Sequence, residues 1–331
     1  MIDRRKFLVG MGALFMARIN AEEKTLVTNS GQDNPHSLFS IAIKNNQIVS
    51  TRQAEKIVPW WSFTKTVIAA AALTLVRDGK LTLDALLPKK PYTLRQLLQH
   101  RAGLPDYGSL PEYHAAVAAG DTPWSRTVFL EKTNADKLLF QPGQGWQYSN
   151  LGYGLIADLI CEVTSLDLQA ALSSLVLKPL GAVHAYIVTK PAELENVVMG
   201  SAKGYHPGWV FHGLLVGPLQ EAALLLHQLM GGALLPPSLL DIMRETHYLG
   251  DIPIGDRPWI EPGYALGLMR GRVIGNMIIE GHTGEGPGSV IAIYHIPDIA
   301  NGLTVATFHT QSDPAFVENL IITIMTQQLA K

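Results

Sequence analysis

Ser62-Phe63-Thr64-Lys65 sets a hydroxyl and an amine three residues apart, which on a helix puts both on one face and within reach of each other. A serine hydroxyl attacks an acyl carbon only when a base removes its proton. Lysine can be that base if burial or a nearby positive charge lowers its pKa. Trp60 and Trp61 ahead of the pair, and the Ala-, Leu- and Val-rich run behind it, supply a dry setting. Taken alone the pair is weak evidence, because Ser and Lys at this spacing arise by chance roughly once in a chain this long. An N-cap serine followed by a solvated lysine would explain it too.

A second group of polar residues ends the turn-rich stretch Gln141-Pro142-Gly143-Gln144-Gly145-Trp146-Gln147-Tyr148-Ser149-Asn150. Tyr148 can relay a proton if a neighbouring cation assists it, and Asn150 can hydrogen-bond an acyl amide. The plainer reading is that Ser149 or Asn150 caps the helix that begins at Leu151. A third group, Gly281-His282-Thr283-Gly284-Glu285-Gly286-Pro287-Gly288, lies between two apolar strand patterns. Its glycines would let a substrate backbone approach a strand edge closely, although a turn or bulge accounts for Gly286 to Gly288.

The elements that must position these groups follow from the pattern. Leu38 to Ile43 and Gln47 to Ser50, joined through Lys44-Asn45-Asn46, predict a hairpin. Ser62 to Val76 predicts a buried helix with Ser62 in its first turn, closed at Asp78-Gly79. Helices follow over Leu94 to His100, Ser125 to Lys132, Leu151 to Val163, Leu168 to Leu175 and Leu219 to Met230. Strands return over Tyr264 to Arg270, Asn276 to Glu280, Ser289 to Tyr294 and Leu303 to Phe308, before a last helix over Ala315 to Leu329. The fold class is α+β: an antiparallel sheet built from both chain ends, flanked by helices, with a mostly helical region inserted. The expected division is a sheet part over about 35–78 and 255–331 and a helical part over about 80–250.

In the order Ser-x-x-Lys, Tyr-x-Asn and His-Thr-Gly, the three groups closely resemble the serine β-lactamase and penicillin-binding superfamily. The nearest branch holds class C β-lactamases, D-alanyl-D-alanine carboxypeptidases, D-aminopeptidases and lactamase-like esterases. Leu97-Leu98-Gln99-His100-Arg101-Ala102-Gly103-Leu104, Gln141-Pro142-Gly143 and Gly263-Tyr264-Ala265-Leu266-Gly267-Leu268 resemble the same branch. The resemblance implies that Ser62 is acylated, that Lys65 and Tyr148 handle its proton, and that Asn150 touches the acyl group. It also implies that the backbone N–H groups of Ser62 and Glu285 form an oxyanion hole, with His282, Thr283 and Gly284 on the wall of the site. The stretch Tyr205 to Gly213 resembles a family segment that lines the acyl pocket, which would set His212 near the substrate, with a packed structural histidine the alternative. Class C β-lactamases carry Lys where this chain has His282, and a histidine of ordinary pKa is mostly neutral at pH 7. That substitution turns the expectation toward an esterase or a D-amino-acid peptidase or carboxypeptidase, and away from a β-lactamase proper. A penicillin-binding sensor with little turnover is the alternative from another class.

Composition is that of an ordinary globular protein, and the resemblance implies a small-molecule or peptide substrate. The 331 residues are 47% hydrophobic and 16% charged, enough for a large apolar interior. The formal charge of -2 gives no field that would recruit nucleic acid. The single cysteine, Cys161, lies in a helical pattern and reads as an inert core thiol, which leaves no internal disulfide. His206 and His212 lack the helical spacing of a zinc pair, and neither metal nor cofactor is expected. Residues 1–21 read as an export signal: Arg4-Arg5-Lys6 precedes an apolar run over Phe7 to Ala17 that is too short to be a stable membrane anchor. The arginine pair resembles a twin-arginine signal, with general secretion the alternative, and a periplasmic mature protein over 22–331 is the expectation.

Overall fold

The structure is a computed structural model, and it describes residues 37–202, 204–297, 302–311 and 313–331. The export signal expected over 1–21 lies outside the described residues. The chain enters through β1 (Leu38–Lys44) and β2 (Gln47–Arg52), joined by Asn45 and Asn46 at φ +54° and +59°. Asparagine tolerates this left-handed backbone, so the pair closes a tight hairpin. β3 (Ile57–Pro59) then leads through a 3-10 turn, Trp61–Phe63, into α1 (Thr64–Arg77). Ser62 therefore stands one turn ahead of the α-helix proper rather than inside it.

The helical region carries α2 (Leu94–Leu98), α3 (Pro111–Ala119), α4 (Arg126–Lys132), α5 (Asn150–Thr164) and α6 (Leu168–Leu172). It also holds β4 (Tyr186–Val188) and β5 (Leu214–Pro218), followed by α7 (Leu219–Met230) and α8 (Pro237–Met243). β5 pairs antiparallel with both β3 and β4, so two strands of a small three-stranded sheet, β4 and β5, lie within the part expected to be mostly helical.

The second half of the main sheet comprises β6 (His247–Tyr248), β7 (Trp259–Glu261), β8 (Gly263–Tyr264) and β9 (Met269–Val273). It continues with β10 (Ile278–Gly286), β11 (Ser289–Ile296) and β12 (Leu303–His309), and α9 (Pro314–Leu329) follows. The sheet order is β2-β1-β12-β11-β10-β9-β8-β6, with β7 beside β9. β1 pairs antiparallel with β12, from Leu38 opposite His309 to Lys44 opposite Leu303, which brings the two chain ends into one sheet.

Strand β11 is buried along its whole length because the sheet is covered on both faces. Ile291 and Ile293 face the large core that contains α1 and α7. Val290, Ala292 and Tyr294 alternate to the other side, where Val317, Ile321 and Met325 of α9 cover them. Helix α1 runs through the first core and is buried from Thr64 to Leu75, as its uniformly apolar circumference requires.

Two further expectations are corrected. Tyr264 to Arg270 is not one strand: the backbone turns at Gly267, φ +77°, where an added Cβ would lie 2.3 Å from the Ala69 Cβ. The half-buried Cys161 lies on α5 and is not a core thiol, though partial burial still raises its pKa.

Candidate active site

Ser62 reaches its position through backbone strain. Trp61, immediately before it, has φ +40°, an unfavourable conformation for a bulky residue. The turn is held by its surroundings: the Trp60 N–H donates to the Leu215 carbonyl at 2.8 Å, and the Trp61 indole donates to Ser289 Oγ at 3.1 Å. Strand β10 closes the other side. A Cβ on Gly284 would lie 2.6 Å from Ser62 N and 2.9 Å from the Trp60 carbonyl, and one on Gly286 would enter the Trp61 ring. Gly284 and Gly286 extend the strand because the Ser62 turn leaves no room there for side chains, and the turn expected over Gly286 to Gly288 falls at Pro287 and Gly288. β9 pairs with β10 only from Ile278 to Gly281, so the edge from His282 onward faces the Ser62 turn. An open edge of this kind is where a substrate backbone can lie. The Ser62 and Glu285 N–H groups expected as an oxyanion pair belong to the two segments that meet here.

Ser62 Oγ accepts hydrogen bonds from Lys65 Nζ and from the Tyr148 hydroxyl, both at 3.0 Å. Lys65 is fully buried, and burial lowers its pKa to about 7, opposed by the Asp106 carboxylate. Burial raises the pKa of the Tyr148 hydroxyl, and its hydrogen bond to Ser62 only partly offsets this. An amine near neutrality and a reluctant phenol make Lys65 the better base and Tyr148 the better proton donor.

Tyr148 is delivered by a loop that His100 clamps. The His100 carbonyl accepts from Gln147 N–H at 3.0 Å, and its Nδ1 accepts from Ser149 N–H at 3.0 Å. The imidazole packs on Tyr148, with ring centroids 4.3 Å apart, and on Tyr264 at 4.5 Å. Ser149 is the helix cap, its hydroxyl accepting from Gly152 N–H at 3.1 Å. Asn150 turns toward Asp106, to which its N–H and Nδ2 donate at 2.7 and 3.2 Å. Burial raises the Asp106 pKa against these hydrogen bonds.

His282 is buried on β10. Its Nδ1 donates to the Thr283 carbonyl at 2.7 Å, and its Nε2 accepts from the Tyr264 hydroxyl at 3.0 Å. Burial, with Lys65 nearby, lowers its pKa to about 3, so the imidazole is neutral across the working range. Thr283 faces the opposite side, donating to Glu318 of α9 and sharing a 2.8 Å hydrogen bond with Tyr294. Arg257 donates from Nε to Glu318 at 2.7 Å, and the two form a buried ion pair. His212 lies with its Nε2 3.1 Å from Lys65 Nζ, on the Lys65 amine rather than along the edge of β10.

Sequence reasoning missed His100, Asp106, Arg257 and Glu318. His100 lies in one of the quoted supporting stretches, but nothing in its neighbours announces the clamp.

A two-sided antiparallel sheet with a buried Ser-x-x-Lys turn under the edge of one strand defines the β-lactamase/transpeptidase-like fold. The Beta-lactamase family model matches residues 36–329, and the chain belongs to that family. Penicillin-binding protein 4* of Bacillus subtilis is 26% identical over 163 residues, 44% of this chain and 34% of that protein. Esterase EstB of Burkholderia gladioli is 32% identical over 167 residues, covering 44% and 41% of the two chains. The matches span between 27% and 34% of the first curated relatives' length. D-amino acid amidase from Ochrobactrum anthropi SV3 superposes with a TM-score of 0.73 at 20% identity, over 89% of this chain and 95% of that one. At that identity the likeness is one of fold.

Proposed function

We propose that the protein is a serine hydrolase that cleaves a neutral ester or amide through an acyl-Ser62 intermediate. The observation that carries this is Ser62 Oγ held between Lys65 Nζ and the Tyr148 hydroxyl at 3.0 Å each. In the first step Ser62 Oγ bonds to the acyl carbon, its proton passes to Lys65 Nζ, and the carbonyl π pair moves to the oxygen. The Ser62 and Glu285 N–H groups receive that oxyanion. The tetrahedral centre then collapses: the leaving atom takes the Tyr148 proton, and the Lys65 ammonium restores it. Water repeats the sequence on the acyl-enzyme. Nucleophile, base and acid are all side chains, so the reaction needs no cofactor.

Charge argues for a neutral substrate. His282 is uncharged, Arg257 is paired by Glu318, and Lys65 is engaged by Ser62 and His212. A carboxylate beside the scissile bond would meet no free cation among these groups, which counts against β-lactams and C-terminal peptide acids. The names of the similar proteins, an esterase and an amidase among them, span the two remaining bond types.

Intact-protein mass spectrometry with a fluorophosphonate, beside p-nitrophenyl ester turnover, tests the proposal. Labelling and turnover that both vanish in Ser62→Ala are the expected result. Labelling that survives in Ser62→Ala would remove Ser62 as nucleophile, and a stable adduct without turnover would favour a sensor. The reading also includes export to the periplasm, supported by Arg4-Arg5-Lys6 and the apolar run behind it. Fractionation that finds an uncleaved cytoplasmic protein would refute that part.

A further inference from the structure

His212 stands at the head of β5, and the backbone around it is registered to the nucleophile. Gly213 adopts φ +89°, and its N–H donates to the Val210 carbonyl at 2.8 Å. Two residues on, the Leu215 carbonyl accepts from Trp60 N–H at 2.8 Å, and the Leu215 N–H donates to Thr64 Oγ1 at 3.2 Å. These bonds tie β5 to residues on both sides of Ser62, so the imidazole is carried on the same frame as the Ser62 and Lys65 side chains.

The ring is 2% exposed, and its Nε2 lies 3.1 Å from Lys65 Nζ. Its Nδ1 is buried with no hydrogen-bond partner among the described residues. An orphan polar atom in a dry interior destabilises a fold, and an apolar side chain would avoid it. Among the described residues, the one hydrogen bond the ring makes is with the Lys65 amine.

A neutral lysine has two N–H bonds and one lone pair. If an N–H points at His212 Nε2, the lone pair is free to point at the Ser62 hydroxyl. If the imidazole donated instead, it would occupy the lone pair that Ser62 needs. The first arrangement requires the proton on Nδ1, the atom without a partner, and leaves Nε2 as a pure acceptor.

We propose that His212 is a positioning residue: by accepting an N–H of Lys65 it aims the amine lone pair at the Ser62 hydroxyl. The inference rests on the hydrolase reading above and assigns His212 to the base rather than to the substrate. His212 does not take the proton itself, because burial, with Lys65, His282 and His100 nearby, holds its pKa well below the ordinary value. In the attack step the Ser62 O–H bond breaks, the proton joins Lys65 Nζ, and the N–H to His212 persists. Besides Ser62 and His212, Lys65 faces the Tyr148 and Tyr153 rings, the Asp106 carboxylate, and the imidazoles of His100 and His282. Asp106, the two ring faces and the His212 acceptor favour the ammonium. Removing the His212 acceptor therefore lowers the pH at which Lys65 loses its proton.

The test is the second-order rate of Ser62 labelling by a fluorophosphonate, followed by intact mass from about pH 5 to about pH 9.5. The proteins are wild type, His212→Leu and His212→Gln, with thermal melts to confirm folding. In the wild type the rate should rise through about pH 7. In His212→Leu the high-pH plateau should fall about tenfold or more, and the midpoint should move to lower pH. Glutamine can place an acceptor where Nε2 stands, so His212→Gln should recover most of the plateau and the midpoint. If the leucine variant does not fold, His212→Asn, polar but too short to reach Nζ, takes its place with the same expectation. An unchanged profile in the truncated variant overturns the inference, as does a loss that glutamine leaves uncorrected. A rise in ester KM with an unchanged labelling profile would return His212 to the substrate. Wild-type protein that is not labelled at Ser62 would sink the hydrolase reading itself, and this inference with it.

Discussion

The Tyr264 hydroxyl donates to His282 Nε2 at 3.0 Å while His282 Nδ1 donates to the Thr283 carbonyl at 2.7 Å, so both imidazole nitrogens are occupied within the protein. A histidine held this way is a neutral wall, with its pKa lowered to about 3 chiefly by burial. His282→Lys should put a cation where the neutral ring stands. The ratio of kcat/KM for a penicillin to that for a neutral p-nitrophenyl ester should rise at least about tenfold, the worth of one modest charge-assisted contact. An unchanged ratio would mean that this wall does not meet the substrate's carboxylate position.

Gly284 makes a sharper prediction about geometry. An alanine there would put its Cβ 2.6 Å from Ser62 N and 2.9 Å from the Trp60 carbonyl, and both neighbours are backbone. Neither can swing aside, so β10 must move away from the Ser62 turn. Loss of one oxyanion donor costs about 2.7 to 4 kcal/mol, and Gly284→Ala should lower kcat by roughly a hundredfold or more with little effect on KM. Near-normal kcat in the folded variant would show that β10 is not the second side of the oxyanion site.

What could be read from the sequence was what lies close in the chain. Ser62 and Lys65 are three residues apart, Tyr148 ends a turn-rich loop, and helix α7 matches its apolar pattern from Leu219 to Met230. What could not be read was pairing across long separations. Arg257 and Glu318 each look like a lone surface charge in sequence, and only the packing of α9 under β10 joins them below Thr283. Asp106 lies 44 residues from the Asn150 it anchors. Glycine also has two meanings that sequence does not separate. At Gly267 it interrupts a strand expected to run on, while at Gly284 it lets a strand lie against the Ser62 turn.

His100 combines a left-handed backbone, φ +58°, with a side chain that accepts from Ser149 N–H and packs on Tyr148. Asparagine tolerates that backbone and can place an oxygen near the position of Nδ1, whereas leucine can do neither. His100→Leu should therefore lose about 2–3 kcal/mol of stability from the orphaned N–H and strained backbone. Its kcat should fall about tenfold to a hundredfold as Tyr148 loosens. His100→Asn should retain most of the stability and lose part of the rate. Equal stability in the two variants, by chemical denaturation, would show that the stacked ring rather than the Nδ1 acceptor holds the loop.

Lys65 should weaken the fold that it serves. Its pKa falls from 10.5 in the open chain to about 7 in the folded protein because burial disfavours the ammonium. Below about pH 7 both states carry the proton, and the buried charge costs stability in full. Between about pH 7 and about pH 10.5 the unfolded chain binds more protons than the folded one, so stability rises with pH. Above that range the lysine is neutral in both states and the cost is gone. At about 1.4 kcal/mol per pH unit the penalty amounts to a few kcal/mol, reduced by the hydrogen bonds to Ser62 and His212 that any replacement forfeits. Lys65→Met, similar in volume, should be inactive yet more stable than wild type at pH 7, with the gap closing toward pH 10. Urea unfolding of both proteins across that range measures the difference, which cancels the titration of every other group they share. A methionine variant less stable than wild type at every pH would mean that the amine's hydrogen bonds outweigh its desolvation.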